Sequence, residues 1–154
     1  MNNIRARQDG IPAMSPQAIA AVTEIERHTL ALPQVPIRTV HILHAGLYTR
    51  MITIPAEVVL TGALIKIATM LTISGDVEVF RGPGDVVRIR GTAVMPASAG
   101  RKQAFIAHAD TTVVMCFPTQ ARTVEEAEAE FTDDTDMLMS HREPEFNTTI
   151  ITGE

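Results

Sequence analysis

The stretch from Ile37 to Phe117 constrains this chain most, because Val, Ile and Thr dominate it and a Gly or Pro interrupts it every several residues. β-Branched residues pack well on a pleated surface, and glycine and proline supply the tight turns that join antiparallel strands. The pattern predicts strands near 38–44, 47–54, 57–60, 64–73, 76–81, 85–90, 92–95, 102–107 and 111–117. Many short strands with no helix between them predict an all-β sandwich or barrel. Two turns anchor this: Ser74-Gly75-Asp76, between the apolar run ending at Ile73 and Val77-Glu-Val79, and Gly82-Pro83-Gly84-Asp85, before Val86-Val87-Arg88-Ile89-Arg90.

The flanks read differently. Residues 1–14 mix charge with Gly10 and Pro12, as in a flexible or partner-dependent arm. Ser15-Pro16 is a helix start, with a capping serine and a proline that forfeits only an already unpaired donor. Ile19, Val22 and Ile25 then recur at helical spacing, so a helix over about 16–29 is expected, with the linker to residue 36 closed by Pro33 and Pro36. After a barrel over 37–118, a second helix is expected within 119–136. Thr123-Val-Glu-Glu126 makes its capping box, and Val124, Ala127 and Phe131 share its inner face. Residues 137–154 are polar with isolated apolars. Met137, Leu138, Met139, Ile150 and Ile151 are left to a loose tail or to docking on a neighbouring subunit.

Composition excludes several function classes. The chain has 154 residues, enough for one domain, and is 45% hydrophobic and 20% charged. A net charge of −5 repels nucleic-acid phosphates. Val58 to Met70, among the longest apolar stretches, contains Lys66 and falls short of the ~18 apolar residues of a membrane helix. No hydrophobic signal core follows the N-terminus, so a soluble, unsecreted protein is expected. The single Cys116 cannot form an intrachain disulfide, which suits a reducing compartment.

Ordered pieces along the strands then suggest a relationship. They are Leu32-Pro-Gln-Val35, His41, Gly46-Leu-Tyr-Thr-Arg50, Ile52-Thr-Ile-Pro55 and Leu60-Thr-Gly62, followed by Lys66, Ser74-Gly75-Asp76, Gly100-Arg-Lys102, His108-Ala-Asp-Thr111 and the acidic run Glu125 to Glu130. In order and spacing they resemble the cupin superfamily, more narrowly the small cupin-like proteins of phages and prophages. The resemblance implies a single cupin-like (jelly-roll) β-barrel with a short helix at each end. In metal-binding cupins the first motif supplies the ligands, and its positions fall here at Ala63, Ile65 and Thr69, none of them an ordinary metal ligand. The second motif's histidine is missing too: Pro96-Ala-Ser-Ala-Gly100 leads into Arg101, Lys102 and Gln103.

A barrel without those histidines is expected to hold no metal and no cofactor, its former site filled by apolar side chains. Met51, Met70, Met95 and Met115, each in a different expected strand, are candidate fillers or ordinary sheet residues. A substitute site of His41, His44 and His108 is opposed by spacing, since strand residues three apart face opposite sides. Cys116, among Val113, Val114, Met115 and Phe117, reads as a buried thiol rather than a nucleophile. What remains is a non-catalytic binding or assembly module, with the oppositely charged sets Arg88/Arg90 and Glu125, Glu126, Glu128 and Glu130 as a candidate interface. The alternative is a small-molecule-binding or metal-independent enzymatic barrel whose mouth offers Tyr48, Arg50, Lys66 and Arg101. A third is a regulator of a host target. The resemblance implies a homo-oligomer, phage structural proteins or a host protein as partners, and the host bacterial cytoplasm or the virion as location.

Overall fold

The computed structural model describes residues 10–154 and is an all-β fold, one curled sheet of eight strands with short helices at both ends. Helix α1, Pro16–Leu30, is capped as the sequence requires: Ser15 Oγ accepts the Ala18 N–H at 3.1 Å. Strands β1 (Arg38–His44) and β2 (Leu47–Ile54) form a hairpin, followed by β3 (Val59–Thr61), β4 (Thr69–Gly82), β5 (Asp85–Ala97), β6 (Ala104–Ala107) and β7 (Thr111–Pro118). Helix α2, Val124–Phe131, starts at Thr123, whose hydroxyl accepts the Glu126 N–H while Glu126 reaches back to the Arg122 N–H. Two 3-10 turns (Thr135–Met137 and Pro144–Phe146) on either side of the short α3 (Met139–Arg142), and then β8 (Asn147–Ile151), complete the chain.

The strand order β3-β6-β4-β7-β2-β1-β8, with β5 on the remaining edge of β4, explains the curl. β4 pairs with β5 from Thr69 to Gly82, while its other edge pairs with β7 over Met70–Ser74 and with β6 over Val77–Phe80. The strand therefore turns a corner at Gly75, opposite Gly91. A Cβ on Gly75 would lie 2.4 Å from Thr111 Oγ1, where β7 begins, so glycine is required by the close approach of two backbones. This corrects the expected turn at Ser74-Gly75-Asp76: the chain bends there without reversing, and the strands expected at 64–73 and 76–81 are one. Likewise 85–90 and 92–95 are one strand through Gly91.

Inward residues fill the curl. Tyr48, Ile54, Ile73, Val77, Val79, Met95, Phe105, Met115 and Phe117 are buried together with Ala127 and Phe131 of α2. Tyr48 lies 5.4 Å from Phe117 and 6.2 Å from Phe131, ring centre to ring centre. Helix α1 covers the outer face of the β4–β6 end, where Met14, Ala18, Val22 and Ala104 form a second small core.

Both flanks are more built in than the sequence suggests. Of the expected arm, residues 1–9 lie outside the described residues, but Ile11 is buried and bridges Ala97 on the edge of β5. The expected loose tail is a structured segment: Leu138 enters the core, and β8 pairs parallel with β1 from Thr39↔Asn147 to Leu43↔Ile151. An unpaired edge on β1 exposes backbone donors and acceptors that a returning segment can satisfy. No helix among the described residues is long and apolar enough to cross a membrane.

Candidate functional site

The open side of the curl holds a cavity of about 140 Å³. Most of its wall is apolar, including Ile52, Leu60, Ile65, Phe105, Val113 and Phe131, and five polar side chains join it: Thr39, Arg50, Thr61, Arg101 and Gln103. Arg101 is aimed inward by local pairing. Ile65 N–H donates to the Arg101 carbonyl at 2.8 Å and Gly62 N–H to that of Gln103 at 2.9 Å, so residues 101 and 103 face the barrel while Lys102 faces away. Lys102 is also buried, its Nζ bonded to Glu26 Oε2 of α1 at 3.0 Å and to the Gly62 carbonyl at 2.9 Å.

Arg101 is only 1% exposed, and among the described residues it has no carboxylate partner. Its Nη1 donates to the carbonyls of Ser98 (2.7 Å) and Ile67 (3.2 Å), and its Nη2 donates to Thr69 Oγ1 at 2.7 Å. Burial without a counter-charge pushes its pKa down to about 10. Ala63 and Ile65 line the same cavity. Two of the three positions matched to cupin metal ligands are thus apolar wall, and the third accepts from a guanidinium. A fixed positive charge here repels a divalent cation, so these residues do not fit one. The sequence expectation of a purely apolar filling is corrected in the same way, because Arg101 sits in that space.

Behind the cavity a buried ion pair ties α2 and α3 to the sheet. Glu128, 2% exposed, accepts from Arg50 Nη1 at 3.1 Å and Ser140 Oγ at 2.7 Å, and its other oxygen lies 2.7 Å from His141 Nε2. Arg50 also lies over the Phe131 ring, 5.6 Å from its centre. Glu128 is therefore no part of a surface interface. Helical spacing holds the signal for this, since 124, 127, 128 and 131 share one face and Glu128 falls inside the apolar stripe. Ser140 and His141, both read as tail, carried no signal of their own.

The other sequence candidates are dispersed. Tyr48 is fully buried, its hydroxyl 2.7 Å from His41 Nδ1, one layer behind the cavity rather than in its wall. Lys66 is outside, with Nζ 2.6 Å from Asp133. His41 faces inward with Nε2 unpartnered among the described residues, and burial, then the charge of Arg50, lowers its pKa below the ordinary 6.5. His44 is at the surface against Thr152, and His108 pairs with Glu78 at 2.7 Å, so the three histidines do not meet. Among the described residues no three His, Cys, Asp or Glu side chains gather as metal ligands. Cys116 is half-buried on the outer face rather than in the core. Of the four methionines, Met95 and Met115 are inside, whereas Met51 and Met70 point outward. Arg88 forms a two-pronged pair with Asp76, both bonds at 2.9 Å, and Arg90 lies 3.9 Å from the same carboxylate. Both arginines are thus engaged within the β4–β5 ribbon. Glu126 and Glu130 cap local groups through the Arg122 N–H and the Thr119 hydroxyl, and Glu125 is exposed.

No protein-family model and no curated protein matches the chain. Solved structures do. One is a protein from Neisseria meningitidis, 13% identical at a TM-score of 0.46 over 61% of this chain and 95% of that one. A second is a conserved protein with a double-stranded β-helix domain from Klebsiella pneumoniae, 13% identical at a TM-score of 0.44, covering 58% and 80%. A third is an RmlC-like cupin protein from Desulfovibrio desulfuricans, 20% identical at a TM-score of 0.42, covering 54% and 83%. The expected fold class, an all-β cupin-like jelly roll with short terminal helices, stands on the strand order and register described above.

Proposed function

We propose that the protein is a metal-free, non-catalytic binding barrel whose cavity takes a small organic anion, a carboxylate carried on a short apolar body. The observation behind this is Arg101: a buried guanidinium without a carboxylate partner, at the wall of an otherwise apolar cavity. A buried cation is costly unless paired, and the carbonyl, hydroxyl and Met115 Sδ contacts of its Nη atoms leave the positive charge uncompensated, which a carboxylate in the cavity offsets. Thr39 Oγ1, buried in the same wall and without a hydrogen-bond partner among the described residues, is a second donor for the anion. A cavity of about 140 Å³ is near the ~150 Å³ that accommodates a benzene-sized body. Arg50 is already neutralised by Glu128, which leaves Arg101 as the charge that selects.

Thermal shift and titration calorimetry with benzoate and hexanoate, beside benzyl alcohol and hexanol as neutral counterparts, test this. Stabilisation by the acids alone, lost in Arg101→Met, is expected. Equal effects of acid and alcohol, or binding that survives in Arg101→Met, overturn it.

The phage or prophage setting belongs to the same proposal and is supported by the sequence resemblance alone. In that setting the barrel is an assembly or accessory module, and its stoichiometric presence in purified virions, measured by mass spectrometry, separates the two roles.

A further inference from the structure

A second hollow, of about 300 Å³, opens outside the cavity between the end of α1, the linker at 31–36, β3 and the 3-10 turn Thr135–Met137. β3 ends the strand order, so no further strand closes that side. Of twelve exposed large apolar side chains among the described residues, five line this groove: Leu30, Leu32, Val35, Val59 and Met137. Scattered singly they would need no explanation, whereas gathered in one concavity they mark a binding surface. The wall is also held in shape. Pro33 and Pro36 restrict the linker, and Gln34 Nε2 donates to the carbonyls of Thr29 at 3.0 Å and Leu32 at 2.8 Å, which stitches the linker to the end of α1. Ile37, Leu60, Thr61, Met137 and Met139 belong to the walls of both hollows and form the partition between them. Leu138, anchored in the core, holds that segment, and the unbranched methionine side chains on either side of it can swing without moving the backbone.

We propose that the groove is the outer half of one ligand site, in which the carboxylate of a medium-chain aliphatic acid sits at Arg101 and its tail runs past Met137 and Met139 into the groove. This rests on the reading of Arg101 as the anion's anchor and extends it to the length of the ligand. Size supports it. The cavity's 140 Å³ falls short of the ~300–1,000 Å³ of ordinary ligand sites, whereas the two hollows together lie within that range. Charge fixes the orientation. The groove wall carries two carboxylates, Glu57 and Glu26, the latter held by Lys102 at 3.0 Å, against the single cation Arg142. An anionic head is therefore disfavoured there and favoured at Arg101, which leaves the uncharged tail for the groove. Apolar walls with mobile methionines suit an unbranched alkyl chain, which needs burial and no fixed hydrogen-bond pattern.

Titration calorimetry of the whole chain with hexanoate, octanoate and decanoate, below their micellar concentrations, tests this. A fully buried CH₂ is worth about fourfold in affinity, and one half-buried in an open groove about twofold. Decanoate is therefore expected to bind roughly 15-fold more tightly than hexanoate. Val59→Gln, on the groove wall and outside the cavity, is expected to weaken decanoate by about threefold or more and to leave hexanoate unchanged. If Val59→Gln fails to fold, Leu32→Gln at its 61% exposed position carries the same expectation. The alcohols from hexanol to decanol keep the two readings apart. Equal binding of acids and alcohols sinks the anchor at Arg101, whereas a chain-length gain that Val59→Gln removes still supports the groove. Equal affinities for hexanoate and decanoate, or a gain undiminished in folded Val59→Gln and Leu32→Gln, overturns the groove as the tail's site. An undiminished gain in variants whose sedimentation has changed assigns the groove to a second copy of the chain and overturns it equally.

Discussion

Glu128→Ala tests the internal tie between the C-terminal segment and the barrel. The carboxylate accepts from Arg50 and Ser140 and faces His141, at 3.1, 2.7 and 2.7 Å. Its removal strands a guanidinium whose side chain is 11% exposed and which rests on Phe131. Breaking one side of a buried pair costs about 3–5 kcal/mol, and the slight exposure of Arg50 places this pair near about 3. The Ser140 hydroxyl, itself buried, adds about 1 kcal/mol when its acceptor goes. A total near 4 kcal/mol corresponds to a fall in Tm of roughly 8–16 °C for a chain of this size. Urea unfolding at pH 7 measures the loss, and hydrogen exchange at Asn147–Ile151 reports whether β8 leaves β1. Arg50→Met added to Glu128→Ala is expected to recover about 2 kcal/mol, because the uncompensated charge disappears. A loss below about 1 kcal/mol with unchanged protection of β8 would refute the reasoning.

Four further outcomes are expected. His41 has a depressed folded pKa, so its neutral form is favoured on folding; the stability it contributes is present above 6.5 and lost as pH falls toward the folded value. Urea melts at pH 7.5 and 5.5 are expected to show this slope, and His41→Asn to flatten it. Gly75→Ala, with its Cβ driven into Thr111, is expected to cost about 3 kcal/mol, against about 1 for Gly91→Ala at φ 88, where only backbone strain acts; equal losses would remove the corner from the account of β4. Arg101→Met is expected to stay within about 1 kcal/mol of wild type, since relief of a buried charge offsets the orphaned Ser98 and Ile67 carbonyls, so its loss of anion binding is not a folding defect. Lys66→Ala removes a half-exposed pair with Asp133 and is expected to change stability by no more than about 0.5 kcal/mol and to leave acid binding untouched.

Local pattern sufficed where both faces of a strand are decided locally. β1 and β2 match their expected bounds because Ala45-Gly46, both at positive φ, make a two-residue turn between two runs rich in apolar and β-branched residues. It failed at Gly75, since Ser-Gly-Asp has the same composition whether the chain reverses or merely lets another backbone approach. The approaching residue, Thr111, lies 36 positions away in sequence. β8 failed for a related reason: Asn-Thr-Thr-Ile-Ile becomes a strand only because β1 has a free edge to receive it.

Charge was the harder matter. Glu128 reads as an interface residue and Arg101 as a polar contact at the barrel mouth, yet both are buried, and so is Lys102. For Glu128 the helix period already held the answer. For Arg101 and Lys102 no local signal exists, because one is buried by the barrel and the other by α1, two different long-range contacts at consecutive positions. Thr69 joins the two halves of the sequence reading. Counted with Ala63 and Ile65, it marks a place where a metal ligand is missing; as the acceptor of Arg101 Nη2, it marks a place where a positive charge is present. A bound metal can leave a barrel, whereas a tethered guanidinium cannot. It has no open coordination position and no Lewis-acid strength, but it has the capacity to hold an anion, which is the property that the proposed function draws on.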